Sequence, residues 1–357
     1  MDAFARHLLG WFDRHGRQNL PWQHPRTPYR VWLSEIMLQQ TQVRTVIPYF
    51  ERFLQALPSL GALAAASEDR VLALWSGLGY YSRARNLHRC ARLCVARHAG
   101  ELPESIEMLA ALPGIGRSTA AAILAQAHAQ PLAILDGNVR RVLARFHGVH
   151  GWPGSSAVQK QLWQLAEAHT PRSRVADYTQ AIMDLGALAC TRSKPRCLEC
   201  PLRGDCIALR DGLTSVLPQA KPARQVPLRT TTMLIARDGE GRILLERRPP
   251  VGIWARLWSL PEGLDAEQAR LGIPALRNNQ AASIRVLPEL LHRFSHFQLR
   301  ITPVVLEVAS AAAHVAEDGE QGWFLPGELG ELGLPAPVRK LLGSLIEESN
   351  PCEQSTA

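Results

Sequence analysis

Leu112-Pro-Gly-Ile-Gly-Arg-Ser-Thr119 joins two helical stretches, and its reading sets the architecture of the first half of the chain. Gly114 and Gly116 permit backbone conformations closed to other residues. The N–H groups of the hairpin, and of the helix opened by Arg117, Ser118 and Thr119, can therefore converge on one phosphate. Such a device grips a nucleic-acid backbone without reading its sequence. A Pro-Gly-x-Gly is also the composition of an ordinary tight turn, so the hairpin acquires meaning only from what surrounds it.

Downstream, after the apolar run Leu132 to Leu135, comes Asp136-Gly-Asn138, followed by a helix opened by Val139, Arg140 and Arg141. An Asp there caps free N–H groups, and those same groups hold it ionised. Upstream, Glu35 lies inside Val31-Trp-Leu-Ser-Glu-Ile-Met-Leu38, so apolar that its carboxyl group is expected to be desolvated and its pKa raised. A raised carboxyl can donate a proton near neutrality while an ionised one faces a developing cation. Glycosidic-bond cleavage needs that pair: one acid for the departing group, one carboxylate for the oxocarbenium-like sugar.

Four of the seven cysteines fall in one loop as Cys190-x6-Cys197-x2-Cys200-x5-Cys206. An odd total without a secretion signal argues against a disulfide framework and for a tetrathiolate site. Zn2+ and a [4Fe–4S] cluster would both accept four thiolates. Arg192, Lys194, Arg196 and Arg203 share the loop, so a closed site would fix a basic surface. Cys90 and Cys94, four apart on an expected helix, read as small core hydrophobes.

Around these signals, residues 1 to about 210 read as successive amphipathic helices, among them Tyr49 to Leu57, Glu68 to Ser76, Arg83 to His98 and Ala157 to Ala168. Asp211 to Arg229, with Gly212, Pro218, Pro222 and Pro227, has the composition of an extended linker. Strand-like runs follow at Thr230 to Ala236, Arg242 to Glu246 and Leu299 to Val308, with a helical tail from Val338 to Glu348. The expected domains are thus 1–210, all-α, a linker at 211–229, and 230–350, α+β. At 357 residues, 46% hydrophobic and 20% charged, the chain excludes disordered, collagenous and coiled-coil classes. Its longest apolar stretches are too short to span a bilayer, and Met1 to His7 lacks a signal core, so a soluble intracellular protein is expected. Residues 1–225 carry 27 Lys+Arg against 16 Asp+Glu, and residues 226–357 carry 13 against 16. The basic half is the one that suits a polyanion.

Together these segments resemble the helix–hairpin–helix DNA glycosylases of the endonuclease III type that carry an iron–sulfur cluster, and within them the adenine DNA glycosylase (MutY-type) branch. The resemblance rests on Leu20-Pro-Trp22, Trp32-Leu-Ser-Glu-Ile-Met-Leu-Gln-Gln-Thr-Gln-Val43, Gly77-Leu-Gly-Tyr-Tyr-Ser-Arg-Ala-Arg-Asn86, the hairpin, Leu135-Asp-Gly-Asn-Val-Arg-Arg-Val142 and the cysteine loop. In the second half, Phe294-Ser-His-Phe297 resembles the loop by which this family recognises 8-oxoguanine. Gly252-Ile-Trp-Ala-Arg-Leu-Trp-Ser-Leu-Pro-Glu-Gly263 resembles the opening of a Nudix domain. The following Asp265-Ala-Glu-Gln-Ala-Arg-Leu-Gly272 has too few carboxylates for the Mg2+-binding helix of that fold, so a Nudix-like recognition domain without hydrolase activity is expected.

The resemblance implies that Glu35 protonates a flipped-out adenine and Asp136 stabilises the sugar cation, with Asn138 in support. Trp22 and Leu38 lie near the adenine pocket. Gln40, Thr41, Leu78 and Tyr80 fill the vacated stack and contact the opposite base, and Ser295 and His296 contact 8-oxoguanine. Cys190, Cys197, Cys200 and Cys206 hold one [4Fe–4S] cluster per chain. Gly114 and Gly116 grip DNA. Ser118 stands where bifunctional relatives place a nucleophilic Lys, which implies a monofunctional hydrolase. The expected partner is double-stranded DNA with an adenine:8-oxoguanine or adenine:guanine mispair, met by a monomer in the nucleoid of a bacterial cytoplasm, with no membrane. Two alternatives stand beside it: a related glycosylase for mismatched thymine or an oxidised pyrimidine, and a non-catalytic iron–sulfur redox sensor that binds DNA.

Overall fold

The computed structural model describes residues 1–357 except 222–225, 272–280, 295, 309–319 and 350–357. It divides into two compact units, Met1–Ala65 with Asn86–Ala223, and Ala66–Arg85 with Arg224–Ala357. Among the described residues, no helix is long and apolar enough to cross a membrane.

Up to residue 210 the chain is helical: α1 (Ala3–His15), α2 (Pro28–Leu38), α3 (Val43–Ala56), α4 (Leu60–Ala65), α5 (Glu68–Trp75), α6 (Ser82–Arg97), α7 (Ile106–Ala110), α8 (Arg117–His128), α9 (Gly137–Phe146), α10 (Ser156–His169), α11 (Val175–Leu188) and α12 (Ile207–Arg210). Helices of this length are marginal alone in water, so burial holds them. In the first unit, α1 turns Phe4, Ala5, Leu8, Leu9, Trp11 and Phe12 inward. Each large side chain so buried contributes about 1.5–3 kcal/mol. The Ala-rich α8 buries every residue from Ala120 to Gln126 and packs against α2, α7 and α11. Small side chains let those helices approach closely. Gly114 takes φ +80° in the hairpin, and a Cβ there would lie 2.9 Å from Cβ of Asn86, so the turn is built for glycine on both counts.

The expected linker differs from the structure. Leu217 is buried and its carbonyl accepts from Nε of Arg145 at 2.8 Å, the Gln219 side chain accepts from the Gly151 N–H, and Lys221 lies over the Trp152 ring. Leu213 and Leu217 give this strap an apolar side that the Pro and Gly content conceals, so it packs on the helical unit. Residues 222–225 lie outside the described residues.

The second unit contains one mixed sheet of β1 (Leu228–Asp238), β2 (Ile243–Arg247), β3 (Trp258–Ser259), β4 (Glu262–Gly263), β5 (Ala281–Val286), β6 (Leu290–Arg293), β7 (Gln298–Val308) and β8 (Gln321–Phe324). The order is β3-β2-β1-β7-β5, with β4 on β1, β6 on β7 and β8 on β2. β1 and β7 run parallel from Leu228↔Gln298 to Asp238↔Val308 and form the buried centre. Helices α13 (Ala266–Leu271) and α14 (Ala336–Ser349) belong to the same unit. The only acid in the first turn of α13 is Glu267. The α+β reading of the C-terminal half holds, and the unit also takes in Ala66–Arg85. That segment reads as helix like its neighbours, and its periodicity shows that one face is buried without showing against what.

Candidate active site

Glu35 and Asp136 line one cavity of about 810 Å3 in the helical unit. Asp136 is the N-cap of α9, and its Oδ1 accepts the Val139 N–H at 2.8 Å. Glu35 sits in α2, where Val31, Trp32, Leu33, Ser34, Ile36 and Met37 are all buried, so the helix gives its carboxyl group little water. Burial, reinforced by the charge of Asp136, pushes Glu35 up to about 7, against a hydrogen bond from Gln126 that pulls it down. Asp136 is also raised, because burial outweighs the N–H groups of Val139 and Asn138 and the charges of Arg141 and Arg140. The expectation that helix N–H groups alone set its state needs that correction: capping was legible, and desolvation was not.

Trp22, Leu38, Thr41, Ser118 and Asn138 line the same cavity. Trp22 is buried edge-on against Phe50 at 5.4 Å. The Ser118 hydroxyl accepts the Leu135 N–H at 2.9 Å, which ties α8 to the residue before Asp136. Gln40 is exposed with φ 60° beside the cavity-lining Gln39 and Thr41. Gly116 caps α8 without any side-chain bond to its first N–H groups. Such donors are an anion site only when a second group converges on them.

Three features escaped sequence reading. Gln126, buried on α8, donates from Nε2 to Oε1 of Glu35 at 3.0 Å. Its one legible trace is a Gln inside an otherwise Ala-rich run. Arg17 lines the cavity and is fixed by the fully buried Asp184, which accepts from its backbone N–H at 2.7 Å and from Nε at 2.9 Å. These residues lie 167 positions apart, and no local pattern links them. Arg141 donates to Asn138 Oδ1 at 2.8 Å and to the carbonyls of Gly186 and Cys190, each at 2.6 Å, so it joins the start of α9 to the cysteine loop. A Cβ on Gly186 would lie 2.6 Å from that of Asn138, so only glycine permits the crossing.

The Gln126 bond yields a pH prediction. A donated hydrogen bond favours the carboxylate. Gln126→Met keeps the volume and removes the donor, so Glu35 should titrate higher, by about half to one pH unit. If protonated Glu35 is the working form, the alkaline fall of base release moves up by that amount. Single-turnover rates from pH 6 to 9 measure it, and an unmoved limb contradicts the role given to Gln126.

Cys190, Cys197, Cys200 and Cys206 line a second, small cavity of about 30 Å3 together with Arg145. Among the described residues no group of three or more His, Cys, Asp or Glu side chains is assembled as an ion site, and the four thiols instead ring this space. Arg145 is 3% exposed, donates to the carbonyls of Thr191 and Arg192, and reaches 3.4 Å from Sγ of Cys190. Burial raises Cys197, Cys200 and Cys206, and the charge of Cys190 raises them further. Uncompensated thiolates would be costly there, and a buried guanidinium is already placed to offset one of them. Arg196 and Arg203 spend donors on the carbonyls of Leu188 and Leu198 and so brace the loop.

Leu78, Tyr80 and His296 belong to the other unit. Leu78 is buried. Tyr80 is 49% exposed at φ 50°, a conformation costing a non-glycine residue about 1–2 kcal/mol, so the surrounding contacts must enforce it. His296 is exposed beside Phe297, its ring centroid 4.8 Å away, and Ser295 lies outside the described residues.

Comparison with known proteins agrees with both halves. Residues 33–168 match the family described as HhH-GPD superfamily base excision DNA repair protein, and residues 232–344 match the NUDIX domain family. The solved structure of a thermostable thymine-DNA glycosylase is 26% identical, with a TM-score of 0.54 over 58% of this chain and 95% of that one. An endonuclease III–DNA complex, 20% identical with a TM-score of 0.50, shares the fold over 59% of this chain and 95% of its own. The adenine DNA glycosylase of Buchnera aphidicola subsp. Acyrthosiphon pisum is 35% identical over 95% of this chain and 96% of its own. That of Mus musculus is 33% identical over 95% of this chain and 77% of its own. On that identity and coverage, the chain belongs to the adenine DNA glycosylase family.

Proposed function

We propose that this chain excises adenine mispaired with 8-oxoguanine or guanine in duplex DNA by hydrolysis of the N-glycosidic bond, leaving an abasic site. The observation that carries the chemistry is the convergence of Glu35, raised to about 7, and Asp136 on one cavity. The volume, about 810 Å3, accommodates a nucleotide turned out of the stack. Glu35 gives its proton to a ring nitrogen of adenine, and the C1′–N bond breaks with its electron pair leaving on the base. The carboxylate of Asp136 faces the oxocarbenium-like C1′. Water adds to C1′ and passes its proton to the Glu35 carboxylate, which restores the starting state. No amine stands at Ser118, whose hydroxyl is engaged with the backbone of Leu135, so no Schiff base forms there.

Cys190, Cys197, Cys200 and Cys206 would hold one [4Fe–4S] cluster; four thiols that line one space, with Arg145 beside Cys190, are the donor set that supports this reading. When bound, the cluster supplies a rigid, charge-neutralising fastening for the basic loop. DNA is then met by the hairpin at Gly114 and Gly116 and by Gln40 and Thr41, while Tyr80, Leu78 and His296 serve the base opposite. The net charge of +8, concentrated in residues 1–225, favours such a polyanion. A monomer working on the nucleoid in the cytoplasm accords with this reading.

The test is chromatography of the base released under single turnover from adenine:8-oxoguanine, adenine:guanine, thymine:guanine and normal duplexes. Free adenine from the first two, with strand breaks only after alkali, is the expected result. Thymine release would support the mismatched-thymine reading, and binding without any release the redox-sensor reading.

A further inference from the structure

We infer that Ser76, Tyr81, Arg85 and Arg339 hold the turn carrying Tyr80, and the packed body behind His296, in position for the base opposite the excised adenine. The inference rests on the proposed 8-oxoguanine preference and deepens it: these four fastening residues become positioning residues for discrimination.

The turn from Gly77 to Tyr80 takes φ values of 100° at Gly77, 72° at Gly79 and 50° at Tyr80. Free in solution, such a segment would sample many conformations, and an exposed aromatic ring on it would be poorly placed to enter a base stack. The turn is held from inside by Arg83, which donates to the carbonyls of Leu78 at 3.3 Å and Gly79 at 3.1 Å, with its guanidinium 5.5 Å from the Tyr80 ring centre. The Trp75 indole N–H adds a bond to the Gly79 carbonyl at 3.2 Å.

Its two ends are held from outside. Ser76 and Tyr81, which flank the turn, both donate to one acceptor, the Leu334 carbonyl, at 3.3 and 2.7 Å. A carbonyl has two lone pairs, and here both are committed to closing this turn. The Tyr81 hydroxyl also accepts the Gly77 N–H at 3.4 Å, and Arg339 donates to the Ser76 hydroxyl at 2.7 Å. Ser76 and Tyr81 are buried, so water does not compete for these bonds. Leu334 and Arg339 lie some 250 residues beyond the turn, at the start of α14, and a Cβ on the neighbouring Gly333 would lie 2.9 Å from that of Leu72.

The same scaffold reaches the second loop. Arg85 donates to the Ala255 carbonyl at 2.6 Å. The adjacent Trp254, held at φ 56°, places its ring 5.4 Å from that of Phe294. Phe294 stacks on the fully buried Phe297 at 4.4 Å, and its N–H bonds the Phe297 carbonyl at 2.9 Å, so the two rings that flank His296 in sequence are held together. Tyr80 and His296 thus belong to one compact unit.

The experiment uses the full-length, cluster-loaded enzyme and compares single-turnover excision from adenine:8-oxoguanine and adenine:guanine duplexes. Tyr81→Phe removes one hydroxyl and keeps the ring; Arg339→Ala removes the other fastening, and Arg339→Lys retains a donor if the alanine variant folds poorly. The ratio of the two rates should fall about fivefold to tenfold in Tyr81→Phe, the scale of one buried hydrogen bond. It should recover toward wild type in Arg339→Lys relative to Arg339→Ala. Tyr80→Ala combined with Tyr81→Phe should lower the ratio no further than Tyr80→Ala alone, because Tyr81 acts through Tyr80. A ratio unchanged in Tyr81→Phe and Arg339→Ala, equal loss on both duplexes, or additive effects would overturn the inference. A wild-type enzyme without preference for 8-oxoguanine would overturn the reading on which it rests.

Discussion

Replacing Glu35 by Gln should lower the single-turnover rate of adenine release by about a thousandfold or more, within the range of a lost general acid, while the affinity for the mispaired duplex stays within about threefold. Gln keeps the shape of the side chain and can still meet Gln126, so packing in α2 is preserved. What it removes is the transferable proton, held ready near neutrality because burial raises Glu35 to about 7. A rate within tenfold of wild type would remove Glu35 from the mechanism and leave its burial without a chemical purpose.

The second large effect is expected at Asp136, where structure and chemistry must be separated. Asp136 caps α9 through Val139, and loss of a cap alone costs about 1 kcal/mol of stability. Asn caps a helix as well as Asp does. Asp136→Asn should therefore melt within a few degrees of wild type and yet lose roughly 100- to 1000-fold in base release, because a neutral amide cannot offset the positive charge at C1′. Thermal unfolding and single-turnover kinetics on one preparation check both halves. Activity retained with an intact melting point would reduce Asp136 to a helix cap.

Much of this candidate site is local in sequence, and that is why its residues can be picked out there. The hairpin shows in the sequence as Pro-Gly-x-Gly between helical stretches, and at Gly114 the positive φ and the close neighbour Asn86 leave no room for another residue. The four cysteines of the loop lie within seventeen residues, and Asp136 precedes a helix in the manner of any cap. Glu35 is conspicuous as the one charged residue in the largely apolar run Val31 to Leu38. What stayed hidden depends on partners distant in sequence. Gln126 reads as one more polar residue on an Ala-rich helix until α8 is laid against α2. Asp184 reads as an ordinary acid until it closes on Arg17. The balance of burial against hydrogen bonds at Asp136, which decides its pKa direction, is a property of the packed cavity.

Domain boundaries show the same division. Composition separates helices from strands, with the change near β1, where Pro and Gly punctuate the chain. Composition cannot show that Ala66–Arg85 packs with the C-terminal unit, because a helix face specifies that it must be buried and not by whom. Tyr81, whose hydroxyl meets a carbonyl 253 residues away, is the clearest instance.

The most direct test of the account is the pH dependence of adenine release under single turnover by the wild-type enzyme on an adenine:8-oxoguanine duplex. If Glu35 acts as the acid, the rate is sustained on the acid side of neutrality and falls as pH rises through about 7, because the proton to be delivered is then lost. The midpoint belongs to the Glu35–Asp136 pair, since each charge acts on the other. A rate that instead climbs as pH rises through 7 would mean that an ionised group performs the step attributed to Glu35, and would contradict the mechanism.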